Sequence, residues 1–245
     1  MSCLLSACVA SPNSSNQQGV APTYTQGYIQ NNVQSNVANN TQSYIPTQSI
    51  VTEITTEDPK EADKRTGQEV YDKLININST CDKLGSIVYD AWYFAIYKSK
   101  DVDVFSSGMQ EFATAIGLSQ SLVEQATQEY LTLLGYTSIN DIHKLAAVRT
   151  NDGAIFISIR AYKLSGKLNS IEDDLTLCKE KLKEMSPDYD SYTKLSTLQS
   201  LYSNVSDYFD FVYSPSGSFN SLSSTLNSYK KDISANLNNL EFVYG

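Results

Sequence analysis

Charge is missing from the start of this chain. Residues 2–52 contain no Asp, Glu, Lys, Arg or His, and the first charged side chain is Glu53. Histidine is nearly absent: His143 stands alone, which excludes a His-rich metal centre and leaves a Ser-His-acid triad a single candidate. The sequence lacks a glycine-rich phosphate loop and the acid-glycine-glutamate spacing of a calcium loop. No run reaches the ~18 apolar residues of a membrane-spanning helix; the nearest, 87–97, is interrupted by Asp90. Positive charge is in deficit, with 18 Lys and Arg against 27 Asp and Glu and a formal net charge of −9. A chain so acidic has little with which to neutralise phosphates, so nucleic acid and electrostatic docking on anionic headgroups are excluded. Strand signals are sparse too. The one β-branched run, 154–159, is too short to build a sheet.

The uncharged start has a pattern of its own. Leu5-Ser6-Ala7-Cys8 places an aliphatic residue three before a cysteine, with small residues between. Small residues admit the peptide to a signal peptidase, and the thiol is a nucleophile able to accept a diacylglycerol. The tetrapeptide resembles the lipobox of bacterial lipoproteins. That resemblance implies that residues 1–7 are the remnant of a signal peptide and that Cys8 carries the lipid. Upstream the sequence departs from the pattern, because five residues without Lys or Arg are shorter than a full signal with its basic region and apolar core. Val9 stands where Asp would mark inner-membrane retention in some Gram-negative bacteria, which favours an outer-membrane or outer-surface address. The implied location is the cell envelope, with the membrane as a partner through the anchor.

Residues 8–57 are Asn-, Gln-, Ser- and Thr-rich, a composition unable to bury a core, and predict a disordered leash. The foldable part is 58–245. Its apolar spacing predicts an all-α fold: an elongated antiparallel bundle of four or five long helices plus a short helical hairpin. Val70, Leu74, Ile77, Cys81, Leu84, Val88, Ala91 and Ala95 step by four and three over nearly four heptads. Asp58-Pro59-Lys60-Glu61 reads as the cap and first turn of that helix. The hairpin follows, with Phe105, Met109, Phe112 and Ile116 on one arm and Leu122, Ala126, Tyr130 and Leu133 on the other. Ser138-Ile139-Asn140-Asp141 caps a further helix, whose stripe runs through Ile142 and Ala146. It blurs at Asn151-Asp152-Gly153, then resumes as Ile157, Ala161, Leu164, Leu168, Ile171, Leu175, Cys178, Leu182 and Met185. Asn-Asp-Gly is a turn signal, so 138–186 is either two helices or one long kinked helix. We favour the second, because a helix starting at Asp152 would leave its neighbour very short. Ser186-Pro187-Asp188 starts the next, whose seam is Leu195, Leu198, Tyr202, Val205, Phe209 and Val212. After a turn at 214–217 the last helix carries Phe219, Leu222, Leu226, Tyr229, Ile233, Leu237 and Leu240.

Few residues invite chemistry. With Cys3 in the signal and Cys8 lipidated, Cys81 and Cys178 remain, either as one disulfide or as two buried thiols. His143, beside Lys144, reads as a surface residue. The acids at 101/103, 172–174 and 188/190 fall at helix starts or surfaces, where they serve solvation and the helix dipole. No catalytic, metal or cofactor site is expected. Aromatics stand out instead: Tyr89, Tyr93 and Tyr97 recur every four residues, with Trp92 among them. Tyrosine couples apolar area to a polar tip and suits interfaces, so these four are candidates for a protein-binding surface. The expectation is a non-catalytic binding or spacer module. The alternatives are a membrane-active component resembling an α-helical pore-former, or a cytosolic helical adaptor with a disordered tail.

Overall fold

The computed structural model describes residues 57–101 and 107–245, all inside the second of two compact units, Ile54–Gly245. The lipobox-like segment with Cys8, the leash as far as residue 56, Asp103 and Phe105 lie outside the described residues. The described part is all-α: nine α-helices and no strand among those residues.

Helix α1 (Pro59–Tyr93) is the axis of the bundle, and its start follows from local chemistry. The Asp58 carboxylate accepts from Lys60 N at 3.0 Å, Pro59 occupies the first turn, and Glu61 meets the positive end of the dipole. All eight residues of its predicted stripe are buried. Tyr71, Ile87 and Trp92 are buried beside them, so α1 presents more than one seam. That is the signature of a helix surrounded by partners. A π-helical turn, Phe94–Lys98, continues α1 and closes with Ser99 N donating to Phe94 O at 2.9 Å.

Helices α2 (Gly108–Ile116) and α3 (Gln120–Leu133) form the expected hairpin, with Gly117 in the left-handed region at φ +66° ending α2. The predicted face of α3 is corrected. Val123, Ala126, Thr127 and Leu131 are buried, whereas Leu122 and Tyr130 are only partly covered and Leu133 is exposed. The helix is turned by about one residue because it packs on α5, where Arg160 pairs with Glu129 and Phe156 meets Tyr130.

The stretch read as one kinked helix is three: α4 (Asp141–Val148), α5 (Asn151–Leu164) and α6 (Ile171–Glu184). Thr150 Oγ1 accepts from Gly153 N at 3.1 Å, so Thr150 caps a new helix at the first break. Gly166, at φ +79°, makes the second. Helices α5 and α6 nonetheless run back along α1 in one register. Arg149 Nε donates to Ser99 O at 3.0 Å, Lys73 pairs with Asp174 at 2.6 Å and Lys181 with Glu69 at 2.5 Å. Ser186 N then donates to the Asp63 carboxylate at 2.7 Å. The apolar stripe survives the Gly166 break because α5 and α6 both face α1. Across the Thr150 break it does not, since Ile142 and Ala146 are exposed and α4 packs on α2, α3 and α5.

Ser186-Pro187 does not open the next long helix directly. It starts a 3₁₀ turn (Pro187–Tyr189) and the one-turn α7 (Asp190–Thr193), and Lys194 then swings into the left-handed region at φ +52°. That conformation costs a non-glycine residue about 1–2 kcal/mol. Asp190 holds it in place by accepting from Ser196 N at 2.6 Å and Ser196 Oγ at 3.2 Å, bonds that also lower the Asp190 pKa. Helix α8 (Leu195–Tyr213) runs parallel to α1, and α9 (Phe219–Tyr244) returns antiparallel to both. Asp82 on α1 fixes this register by meeting Tyr208 of α8 and Lys230 of α9.

Candidate functional site

The antiparallel return of α9 delivers its first residue to the far end of α1. Gly217, at φ +100°, reverses the chain and Ser218 caps α9. Phe219 then lies against the predicted aromatic ladder. Its ring centroid is 4.9 Å from Tyr89, 6.1 Å from Tyr97, and 6.2 Å from both Tyr93 and Trp92. Tyr93 and Tyr97 are 4.9 Å apart. Tyr93 stands at the junction of α1 with the π turn that carries Tyr97.

The four predicted interface residues are thus brought together but do not share one exposure. Trp92 is buried and belongs to the core, and Tyr89 is half-buried. Tyr93 and Tyr97 keep 39% and 54% of their surface open. Phe219, half-buried, is the hub that sequence spacing missed. It was visible only as a seam residue of its own helix, and its meeting with α1 is a contact across more than a hundred residues of chain. Below the aromatics a groove of about 320 Å³ separates α1 from α9, lined by Gly85, Ser86, Tyr89, Asp90, Asn227 and Lys230. Tyr89 belongs to both features, so the face combines open aromatic rings with a polar cleft. Desolvation raises the Asp90 pKa, and Lys83 partly offsets it.

The cysteine question has a structural answer: Cys81 and Cys178 are free and buried, so the bridge is not formed. The register shows why. Cys178 sits at the level of Glu69 and Lys73 on α1, eight to twelve residues from Cys81. That is roughly 12–18 Å along the helix, whereas a disulfide needs Cα atoms within about 7 Å. Burial pushes the Cys81 thiol up to about 12 and the Cys178 thiol up to about 11, which suppresses the reactive thiolate. We expect two reactive thiols per chain in a Cys3→Ser/Cys8→Ser protein unfolded without reductant, and at least tenfold slower labelling of both in the native protein. An absence of free thiols in the unfolded sample would restore the bridge.

The remaining candidates have structural employment. His143 N donates to Asn140 Oδ1 at 3.0 Å, and His143 Nδ1 faces Asn140 N at 3.5 Å, a capping box at the start of α4. Its ring packs on Tyr136 at 4.9 Å. Asp174 pairs with Lys73, Asp190 anchors Ser196, and Glu172 and Asp173 stand in the first turn of α6. Among the described residues no group of His, Cys, Asp and Glu is arranged to hold a metal ion, and no helix is long and apolar enough to cross a membrane. Comparison with protein-family models, curated proteins and solved structures gave no match to this chain.

Proposed function

We propose that this chain is a lipid-anchored envelope or surface protein whose helical bundle is a non-catalytic module for binding another protein. The observation that carries the binding role is the aromatic face: Tyr93 and Tyr97 stay open to solvent around Phe219, although neighbouring rings are buried. Exposed tyrosines ordered by ring contacts lose little conformational freedom on binding and contribute large contact areas. The adjoining cleft supplies hydroxyl, amide and charged groups for orientation.

The anchor rests on the Leu5-Ser6-Ala7-Cys8 resemblance and on the uncharged composition after it. Val9 supports an outer-membrane or outer-surface address. The non-catalytic reading draws support from the employment of His143, Asp174 and Asp190 in caps and ion pairs.

The test uses the protein made from its own genomic reading frame. The parent should partition into detergent and carry the mass of a diacylated N-terminal cysteine, whereas Cys8→Ser should move to the aqueous phase unprocessed. A parent chain that is unmodified at Cys8 and soluble would overturn the anchored reading.

A further inference from the structure

The corner between α3 and α4 is the most conspicuous apolar surface that neither the core nor the aromatic face explains. Leu133 is 73% exposed, Leu134 57%, Tyr136 44% and Ile142 58%. Residues 132–138 are all exposed, so the corner projects. Gly135, at φ +88°, turns the chain with open space around it, and the Tyr136 ring rests on His143, which ties the two helix ends into one tip. No charged residue or histidine occurs from 130 to 140, and the charges that border Ile142, Asp141 and Lys144, pair with each other at 3.3 Å.

We propose that this tip inserts into the interfacial zone of a zwitterionic bilayer, resting on the reading that Cys8 anchors the chain there. Three arguments select a bilayer over a protein. The four side chains offer on the order of 400 Å², about half of what one partner of a stable protein complex contributes. A projecting tip without a cleft suits a soft, deformable medium, and Leu beside Tyr is the pairing that straddles acyl chains and headgroups. The net charge of −9 opposes an anionic surface and leaves a neutral one open. A tip too small to hold a membrane alone is sufficient on a tethered chain, because the anchor supplies a high local concentration.

The geometry permits it. Pro59–Lys98 forms 40 consecutive helical residues, about 60 Å long. Asp58, where the tether enters, lies at the opposite end of this rod from the α2–α4 cap. Cys8 and Glu57 are 49 residues apart, a connection able to span at most about 170 Å. The rod is shorter than that limit, so the length of the connection allows the tip to meet the membrane that holds Cys8, which would pin the bundle at a second point.

The test couples the full-length Cys3→Ser chain through Cys8 to a maleimide-headgroup lipid in phosphatidylcholine vesicles. Buried Cys81 and Cys178 leave Cys8 as the accessible thiol. Hydrogen exchange at 132–142 is compared with the same chain capped by a small maleimide. We expect at least threefold slower exchange on vesicles, abolished in Leu133→Asp/Leu134→Asp with an unchanged far-UV spectrum. If that pair disturbs the fold, Leu133→Ser alone should still reduce the protection. Equal exchange with and without vesicles overturns the proposal. So does protection that grows with protein concentration in the capped sample, which would assign the tip to a second copy. The coupling supplies the tether chemically, so the outcome is independent of whether Cys8 is lipidated in the cell.

Discussion

Gly153→Ala should lower the stability of the bundle by about 3 kcal/mol or more, although alanine is the better helix former by about 1 kcal/mol. Gly153 lies in the first turn of α5, immediately after the two-residue elbow that separates it from α4. Thr150 Oγ1 donates to Ala147 O at 2.9 Å and accepts from Gly153 N at 3.1 Å. An added Cβ would stand 2.1 Å from Ala147 O and 2.7 Å from Thr150 Oγ1. The obstacle is backbone, so the elbow must open and α4 must shift against α2 and α3, taking buried Leu145 and Val148 with it. Steric cost therefore outweighs helix propensity. The comparison with Gly67 is instructive. A Cβ there meets Tyr244 Oη at 2.2 Å, the far end of a side chain that can swing at the cost of its bond to Thr193 O, so Gly67→Ala should cost less. Thermal melts followed by circular dichroism decide the matter. At about 2–4 °C per kcal/mol for a domain of this size, Gly153→Ala should melt roughly 6–12 °C lower. An unchanged or raised midpoint would mean that α4 and α5 join into the single helix that the apolar pattern suggested.

That misreading shows what apolar spacing carries and what it omits. The stripe from Ile157 to Met185 is buried except for partly covered Leu164, even though Gly166 interrupts it. Spacing reports which side faces the partner, and α5 and α6 share one partner in α1. The breaks belong to local hydrogen bonding at Thr150 and to a single positive φ at Gly166. The second leaves the stripe intact, whereas before the first Ile142 and Ala146 are exposed because α4 packs on α2, α3 and α5. The cap at Asp58 and the stop at Gly117 were legible because residues adjacent in sequence make them. Lys194 was not, because an unfavoured conformation at a lysine is held by Asp190 and Ser196 acting across it. On α3, apolar identity was mistaken for burial: Leu133 looked like core and is surface. The same ambiguity hid the projecting tip at the α3–α4 corner. Half of the aromatic face was visible as Tyr89, Tyr93 and Tyr97. Its other half, Phe219, depends on the antiparallel return of α9, which no local pattern encodes.

Tyr208→Ala should be the most damaging single truncation on α8, at about 3–5 kcal/mol, and its milder relatives test why. The ring has no exposed surface. It stacks on Tyr229 at 5.4 Å and points its hydroxyl at α1, where the missing side chain of Gly85 makes room. Tyr208 Oη donates to Asp82 Oδ1 at 3.0 Å, and Lys230 pairs with the same oxygen at 3.4 Å. Burial, followed by the Asp82 charge, drives the phenol pKa upward, so the hydroxyl remains a donor throughout the range in which the protein is handled. The two partners are unequal. The Asp82 side chain is 39% exposed, and in Tyr208→Phe it retains Lys230 and gains water, a loss of about 1 kcal/mol. Asp82→Ala instead strands a buried hydroxyl and should cost more, about 2–3 kcal/mol. The double variant Asp82→Ala/Tyr208→Phe removes the stranded group and should be no less stable than Asp82→Ala alone, a coupling that urea midpoints at constant slope will read. The expected order of loss is Tyr208→Ala, then Asp82→Ala, then Tyr208→Phe. If Asp82→Ala proves the mildest of the three, the phenol has another acceptor, and Asp82 does not set the register of α1, α8 and α9.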